Sequence, residues 1–198
     1  MGPKKDIYTD KKRLLAKRCD CAIMITVMQE AFYMQKDTEF VFGEIARFSP
    51  AEWDQIPDLG LYMDQVITFI TRLYEPLYGE TTKGYLSAPM INNYVKNKLI
   101  PRPTGKKYSR LHIAMLIMIV ALKRVCTMED IRAMLSAEDE TAIRAIYELF
   151  CKRQMESIGC MLRVSSELPP AMDCAIFSSA YRAGCECLLQ KDPDQTEE

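Results

Sequence analysis

Asn92, Asn93 and Lys96 fall within one turn of a helix-like stretch, Met90 to Leu99, where Ile91, Tyr94 and Val95 alternate with them. At helical spacing the three apolar residues share one face, and the three polar ones, with Asn97, lie largely on the other. An asparagine amide can pair with an adenine edge, and a lysine with guanine or a phosphate. The same pattern also describes an ordinary solvated helix surface. The next residues tip the balance. Ile100-Pro101-Arg102-Pro103-Thr104-Gly105-Lys106-Lys107-Tyr108-Ser109 reads as a tight turn set by proline and glycine, with cations and a tyrosine on its return arm. Such a loop can lie along a phosphodiester backbone, with Arg102, Lys106, Lys107 and Tyr108 holding phosphates. Ser87, Met90, Lys98 and Arg110, at the edges of the same stretch, complete the set of candidate contacts.

Charge is segregated around these residues. No Asp or Glu occurs between Thr81 and Met128, whereas Lys83, Lys96, Lys98, Arg102, Lys106, Lys107, Arg110, Lys123 and Arg124 all do. The chain as a whole carries −1, so its flanks together carry −10. A local positive field attracts a polyanion whatever the total charge, and this band predicts a nucleic-acid partner.

Other chemistries find little support. No Gly-rich phosphate loop, His-Glu-x-x-His metal motif or Ser/His or Cys/His pairing is present, so no enzyme is expected and no catalytic residue is assigned. His112, the single histidine, falls at the start of an apolar helix and reads as a surface or capping residue. Eight cysteines include two C-x-C pairs, Cys19/Cys21 and Cys185/Cys187. Residues two apart on a helix point to different faces, so buried free thiols are expected rather than a metal site, and no cofactor is implied. The longest apolar run, Ile113 to Leu122, has ten residues, about half of the ~20 that span a bilayer. The charged start MGPKKDIYTDKKRLLAKR is not a secretory signal, and a soluble, cytoplasmic chain is expected.

The elements that must position the candidate residues are helical. A helix is expected over residues 11–34, followed by turns at Ser49-Pro50 and Pro57–Gly60, with Trp53 between them as an anchor on the core. Apolar residues at 63, 66, 67, 70 and 73 make an amphipathic helix, closed by Pro76 and Gly79. Ser87 and Pro89 start the next one. Ser109 caps a helix from 110 to 125 that is apolar nearly all round and therefore buried. Thr127-Met128-Glu129-Asp130 resembles a capping box for a short helix ending near 135. Two longer helices, about 138–163 and 171–190, follow.

In this order, Met90-Ile91-Asn92-Asn93-Tyr94, Lys98-Leu99-Ile100-Pro101, Lys107-Tyr108-Ser109 and Thr127-Met128-Glu129-Asp130-Ile131 resemble the DNA-binding domain of MerR-type regulators. With Asp58-Leu59-Gly60-Leu61-Tyr62-Met63-Asp64-Gln65 added, the chain is more closely similar to an uncharacterised family of bacterial proteins considered MerR-like. The resemblance covers about residues 50–136. It implies an all-α chain, a helical bundle built around a winged helix-turn-helix with a short two-stranded wing. The expected division is an N-terminal helical segment at 1–50, the winged domain at 51–136 and a C-terminal helical pair at 137–198. The implied partner is double-stranded DNA, bound by a homodimeric transcriptional regulator with an unassigned small-molecule or protein effector and no membrane association. Departures from the pattern are Asn92 where the family has a phosphate-gripping Arg, Lys98 where it has Gly, and a long loop before the second helix. A winged interaction module that no longer binds DNA is therefore the alternative.

Overall fold

A computed structural model describes residues 38–79, 84–136, 139–163 and 168–189. The helix expected over 11–34 and the Cys19/Cys21 pair lie outside the described residues, as does Lys83. The described residues form a short 3-10 turn, Trp53–Gln55, and six named helices: α1 (Met63–Tyr78), α2 (Ala88–Lys96), α3 (Arg110–Leu122), α4 (Met128–Met134), α5 (Glu140–Leu162) and α6 (Pro170–Leu189). Residues 38–46 are also helical. The all-α expectation holds for these residues.

The fold is built around α3. Every residue from His112 to Val120 is buried, because an all-round apolar helix has no side it can give to water. Full burial of each Leu, Ile or Met here contributes about 1.5–3 kcal/mol. Helix α5 packs along α3 most extensively, and α1 covers another side. The α1 stripe delivers Val66, Ile70 and Tyr74 to the core, and the Tyr74 hydroxyl donates to the Ile117 carbonyl at 2.9 Å. Trp53 is buried, its ring edge-on to Tyr147 with centroids 6.0 Å apart. Ile143 and Tyr147 of α5 sit in the same core, so that core continues past residue 136, where the sequence suggested a boundary.

Helix α1 does not stop at Pro76. It runs on to Tyr78, with the proline inside its last turn, where the lost N–H costs one hydrogen bond while Leu77 and Tyr78 gain packing against the core. Gly79 then ends it at φ 57°, ψ −152°, a conformation open essentially to glycine alone. The capping box before α4 forms as expected: the Asp130 N–H donates to Thr127 Oγ1 at 3.2 Å, and the Thr127 N–H to Asp130 Oδ2 at 2.9 Å.

The expected two-stranded wing is absent among the described residues. Two isolated bridges replace it. Thr104 and Lys107 close a turn whose central residues, Gly105 (φ 57°) and Lys106 (φ 63°), both have positive φ, the mark of a type I′ hairpin turn. The return arm then leaves its own partner strand and pairs with the segment before α1: Leu61 N–H donates to Tyr108 O at 3.0 Å and Tyr108 N–H to Leu61 O at 2.8 Å. Prolines at 101 and 103 explain why the outgoing arm cannot form a ladder, since neither has an N–H to donate.

Helix α6 is mostly exposed. Its one buried residue is Asp173, while Met172, Ile176, Phe177, Tyr181 and Leu188 are exposed. The Cys185 thiol lies 3.8 Å from that of Cys126 at the end of α3. Burial and the neighbouring Cys185 thiol push the Cys126 thiol up to about 11, so it stays protonated near neutrality. Among the described residues no helix is long and apolar enough to cross a membrane.

Candidate nucleic-acid interface

Helix α2 places its residues as the spacing requires. Ile91 and Tyr94 are fully buried, Val95 is half-buried, and Asn92, Asn93, Lys96 and Asn97 face solvent. Ser87 occupies the N-cap position with extended backbone, and Pro89 lies in the first turn; Ser87 and Met90 are half-buried. The Asn97 amide donates to Asn93 Oδ1 at 2.9 Å.

The chain leaves α2 through a Schellman turn. The Lys98 N–H donates to Val95 O at 3.1 Å and the Leu99 N–H to Tyr94 O at 2.9 Å, with Lys98 in the left-handed region at φ 55°. Glycine normally holds this position. Here a lysine does, which projects a cation from the end of the candidate recognition helix. Lys106 is the other non-glycine residue with positive φ among those described. Both strained positions therefore carry lysines of the acid-free band.

Lys96, Lys98, Arg102 and Lys106 are exposed, and none has an ion-pair partner among the described residues. Lys107 is exposed but anchored. Its ammonium lies 5.7 Å from the Tyr62 ring centre, and its stem presses so closely on Gly60 that a Cβ there would meet Lys107 Cβ at 2.9 Å.

Two members of the candidate set serve the fold instead. Tyr108 is buried, with its ring edge-on to His112 at 5.7 Å; a side chain sealed in this way cannot reach a phosphate. Arg110 is mostly buried too. Its Nε donates to the Ile56 carbonyl at 3.0 Å, and its guanidinium pairs with Asp54 at 3.4 Å and Asp58 at 3.9 Å. These acids precede the band in sequence, and folding brings them back onto it. Arg110→Gln should cost about 1 kcal/mol of stability by urea unfolding, from the lost hydrogen bond, and leave the salt dependence of any DNA complex unchanged.

Lys123 and Arg124 follow the far end of α3, about 20 Å from Arg110 along the helix axis. Each is stacked on aromatic rings: Lys123 lies over Tyr94 at 5.6 Å, and Arg124 over Tyr78 at 4.2 Å and Tyr85 at 4.8 Å. Arg124 in that setting holds the end of α1 to the start of α2.

His112 acts as a cap, but it is buried rather than on the surface. Its Nδ1 accepts from the Ser109 N–H at 3.1 Å and lies 2.7 Å from Ser109 Oγ, which assigns the neutral ring with its proton on Nε2. Burial lowers its pKa below 6.5, partly offset by the backbone of Arg102 and Pro101. The unfolded chain therefore takes up a proton below pH ~6.5 that the folded ring resists. Stability should be level above that pH and fall as pH drops below about 6.5, and His112→Asn should flatten the change in urea midpoint there.

One residue of this region was not legible in the sequence. Arg132 follows Glu129 and Asp130, outside the acid-free band, and nothing in its neighbours marks it. Folding brings it to the exit of α2, where its guanidinium donates to the Asn97 carbonyl at 3.0 Å. With Lys96, Lys98 and Arg102 it borders an open groove of about 900 Å³ between α2, the loop after it, and the ends of α4 and α5.

Fold and site together define an all-helical domain with a carboxylate-poor basic surface at the end of a short exposed helix. Residues 51–150 match the family described as a domain of unknown function, DUF1836, and the chain belongs to that family. No curated protein matches the sequence, and no solved structure does. Among the described residues no three His, Cys, Asp or Glu side chains come close enough to hold a metal ion.

Proposed function

We propose that the chain is a sequence-specific DNA-binding protein of the transcription-regulator type, related in plan to the winged helix-turn-helix of MerR-type regulators. Helix α2 would enter the major groove with Asn92, Asn93 and Lys96 towards the bases, and Lys98, Arg102, Lys106 and Lys107 would hold phosphates on either side. The observation that carries this reading is the exposed Asn/Lys face of α2, flanked by cations without carboxylate partners among the described residues. The exposed apolar side of α6 suits pairing with a second copy, as two half-sites would require.

Fluorescence anisotropy with genomic DNA fragments tests the proposal. Lys98, Arg102, Lys106 and Lys107 neutralising one phosphate each give a slope of log K on log salt of about −3.6. No binding at low salt would remove the proposal. The other reading, an interaction module without DNA affinity, draws on Asn92 standing in place of the family's arginine. It predicts capture of a protein partner after nuclease treatment and no salt-sensitive DNA complex.

A further inference from the structure

The groove beside α2 combines an apolar surface with a cationic one. Its floor is apolar, made by Val95, Leu99, Leu111, Met115, Leu135 and Ile143. Its border is cationic, with Lys96, Lys98, Arg102 and Arg132 all lining it. The single described carboxylate there, Asp139, is occupied in capping α5, where it accepts from the Ala142 N–H at 2.7 Å. Nothing described neutralises the four cations by an ion pair. Arg132 is oriented by the Asn97 carbonyl through one nitrogen, and its other N–H groups remain for a further acceptor. Lys98 is held at the rim in the left-handed region, where glycine would relieve strain but supply no charge. A residue kept in such a conformation points to a role for its side chain.

We propose that this groove binds a small amphipathic anion, an apolar chain ending in a carboxylate. The volume of about 900 Å³ lies within the range of small-molecule clefts, about 300–1,000 Å³. The apolar portion would cover the floor, and the carboxylate would take charge-assisted hydrogen bonds from Arg132, Lys98 and Arg102. An inorganic anion would satisfy only the rim and a neutral alkyl chain only the floor, so complementarity demands both in one molecule. This site stands independently of the DNA reading. Three of its cations belong also to the proposed DNA-binding surface, but Arg132 does not.

The test is isothermal titration of the full chain, without nucleic acid, against octanoate, octanol and inorganic phosphate. Octanoate should bind saturably at one per chain, about tenfold or more tighter than either of the others. Arg132→Gln and Lys98→Gly should each weaken it about tenfold, the loss of one charged hydrogen bond. Because Lys98→Gly also relieves the left-handed backbone, its urea midpoint should not fall, so that lost binding reports the missing charge and not a damaged fold. Octanol binding as tightly as octanoate, phosphate doing the same, no saturable binding, or unchanged affinity in both variants would overturn the proposal. A failure here leaves DNA binding by the wild type intact, and a failure to bind DNA leaves the octanoate titration unaffected.

Discussion

With Lys98, Arg102, Lys106 and Lys107 all changed to alanine, DNA affinity should fall on the order of a thousandfold at 0.1 M salt, and the salt slope should flatten by about 3.6. The two numbers share one cause. Each neutralised phosphate releases about 0.9 of a counterion, so at 0.1 M salt four contacts together account for about 3.6 decades of binding. The loss should be uniform across DNA sequences, because phosphates carry no sequence information. Asn93→Ala should behave differently, leaving the slope unchanged while narrowing the gap between preferred and random DNA. Anisotropy titrations at four salt concentrations separate these outcomes. A full slope in the quadruple variant would place the phosphate contacts elsewhere. Folding should be little affected, since all four side chains are exposed and none has an ion-pair partner among the described residues.

Tyr147→Ala should destabilise the chain by about 4 kcal/mol or more, a large share of the 5–15 kcal/mol typical of a domain. The ring is fully buried against Trp53, and its hydroxyl donates to the Ala51 carbonyl at 2.6 Å. Truncation removes the ring from the core and leaves a carbonyl without its partner, and the two losses add. Tyr147→Phe keeps the ring and should cost only about 1–2 kcal/mol. Urea unfolding followed by Trp53 fluorescence and by far-ultraviolet dichroism measures both. Coincident transitions would place residues 51–55, α3 and the first half of α5 in one cooperative unit, consistent with a family match that runs from 51 to 150. Loss of the fluorescence transition alone, with helix content retained to higher urea, would show that the Trp53 segment is a separable clasp.

Much of this was legible in the sequence because it depends on local spacing. The all-round apolar run from Leu111 to Leu122 can only be a buried helix, and it is one. The alternation of Ile91, Tyr94 and Val95 with Asn92, Asn93 and Lys96 fixes which side of α2 faces water, and the Thr127/Asp130 pair caps α4 as its spacing requires. Trp53 sits on the core because so large an apolar ring gains most by leaving water. Each of these follows from helix geometry and from the cost of hydrating apolar area, which act within a few residues of chain.

What the tertiary structure alone decided are pairings between residues far apart in sequence. Arg110 looked like a free cation in an acid-free band, yet Asp54 and Asp58 meet it from more than fifty residues away. Tyr108 looked like a wing residue, yet it pairs with Leu61 and fills the core. Arg132 carried no signal in the sequence, yet it joins Lys96, Lys98 and Arg102 around one groove. The amino-acid sequence determines how much charge a stretch carries and which faces its helices present. Only the packed chain determines which charges neutralise one another, because Coulomb energy depends on distance in space, which order along the backbone does not set.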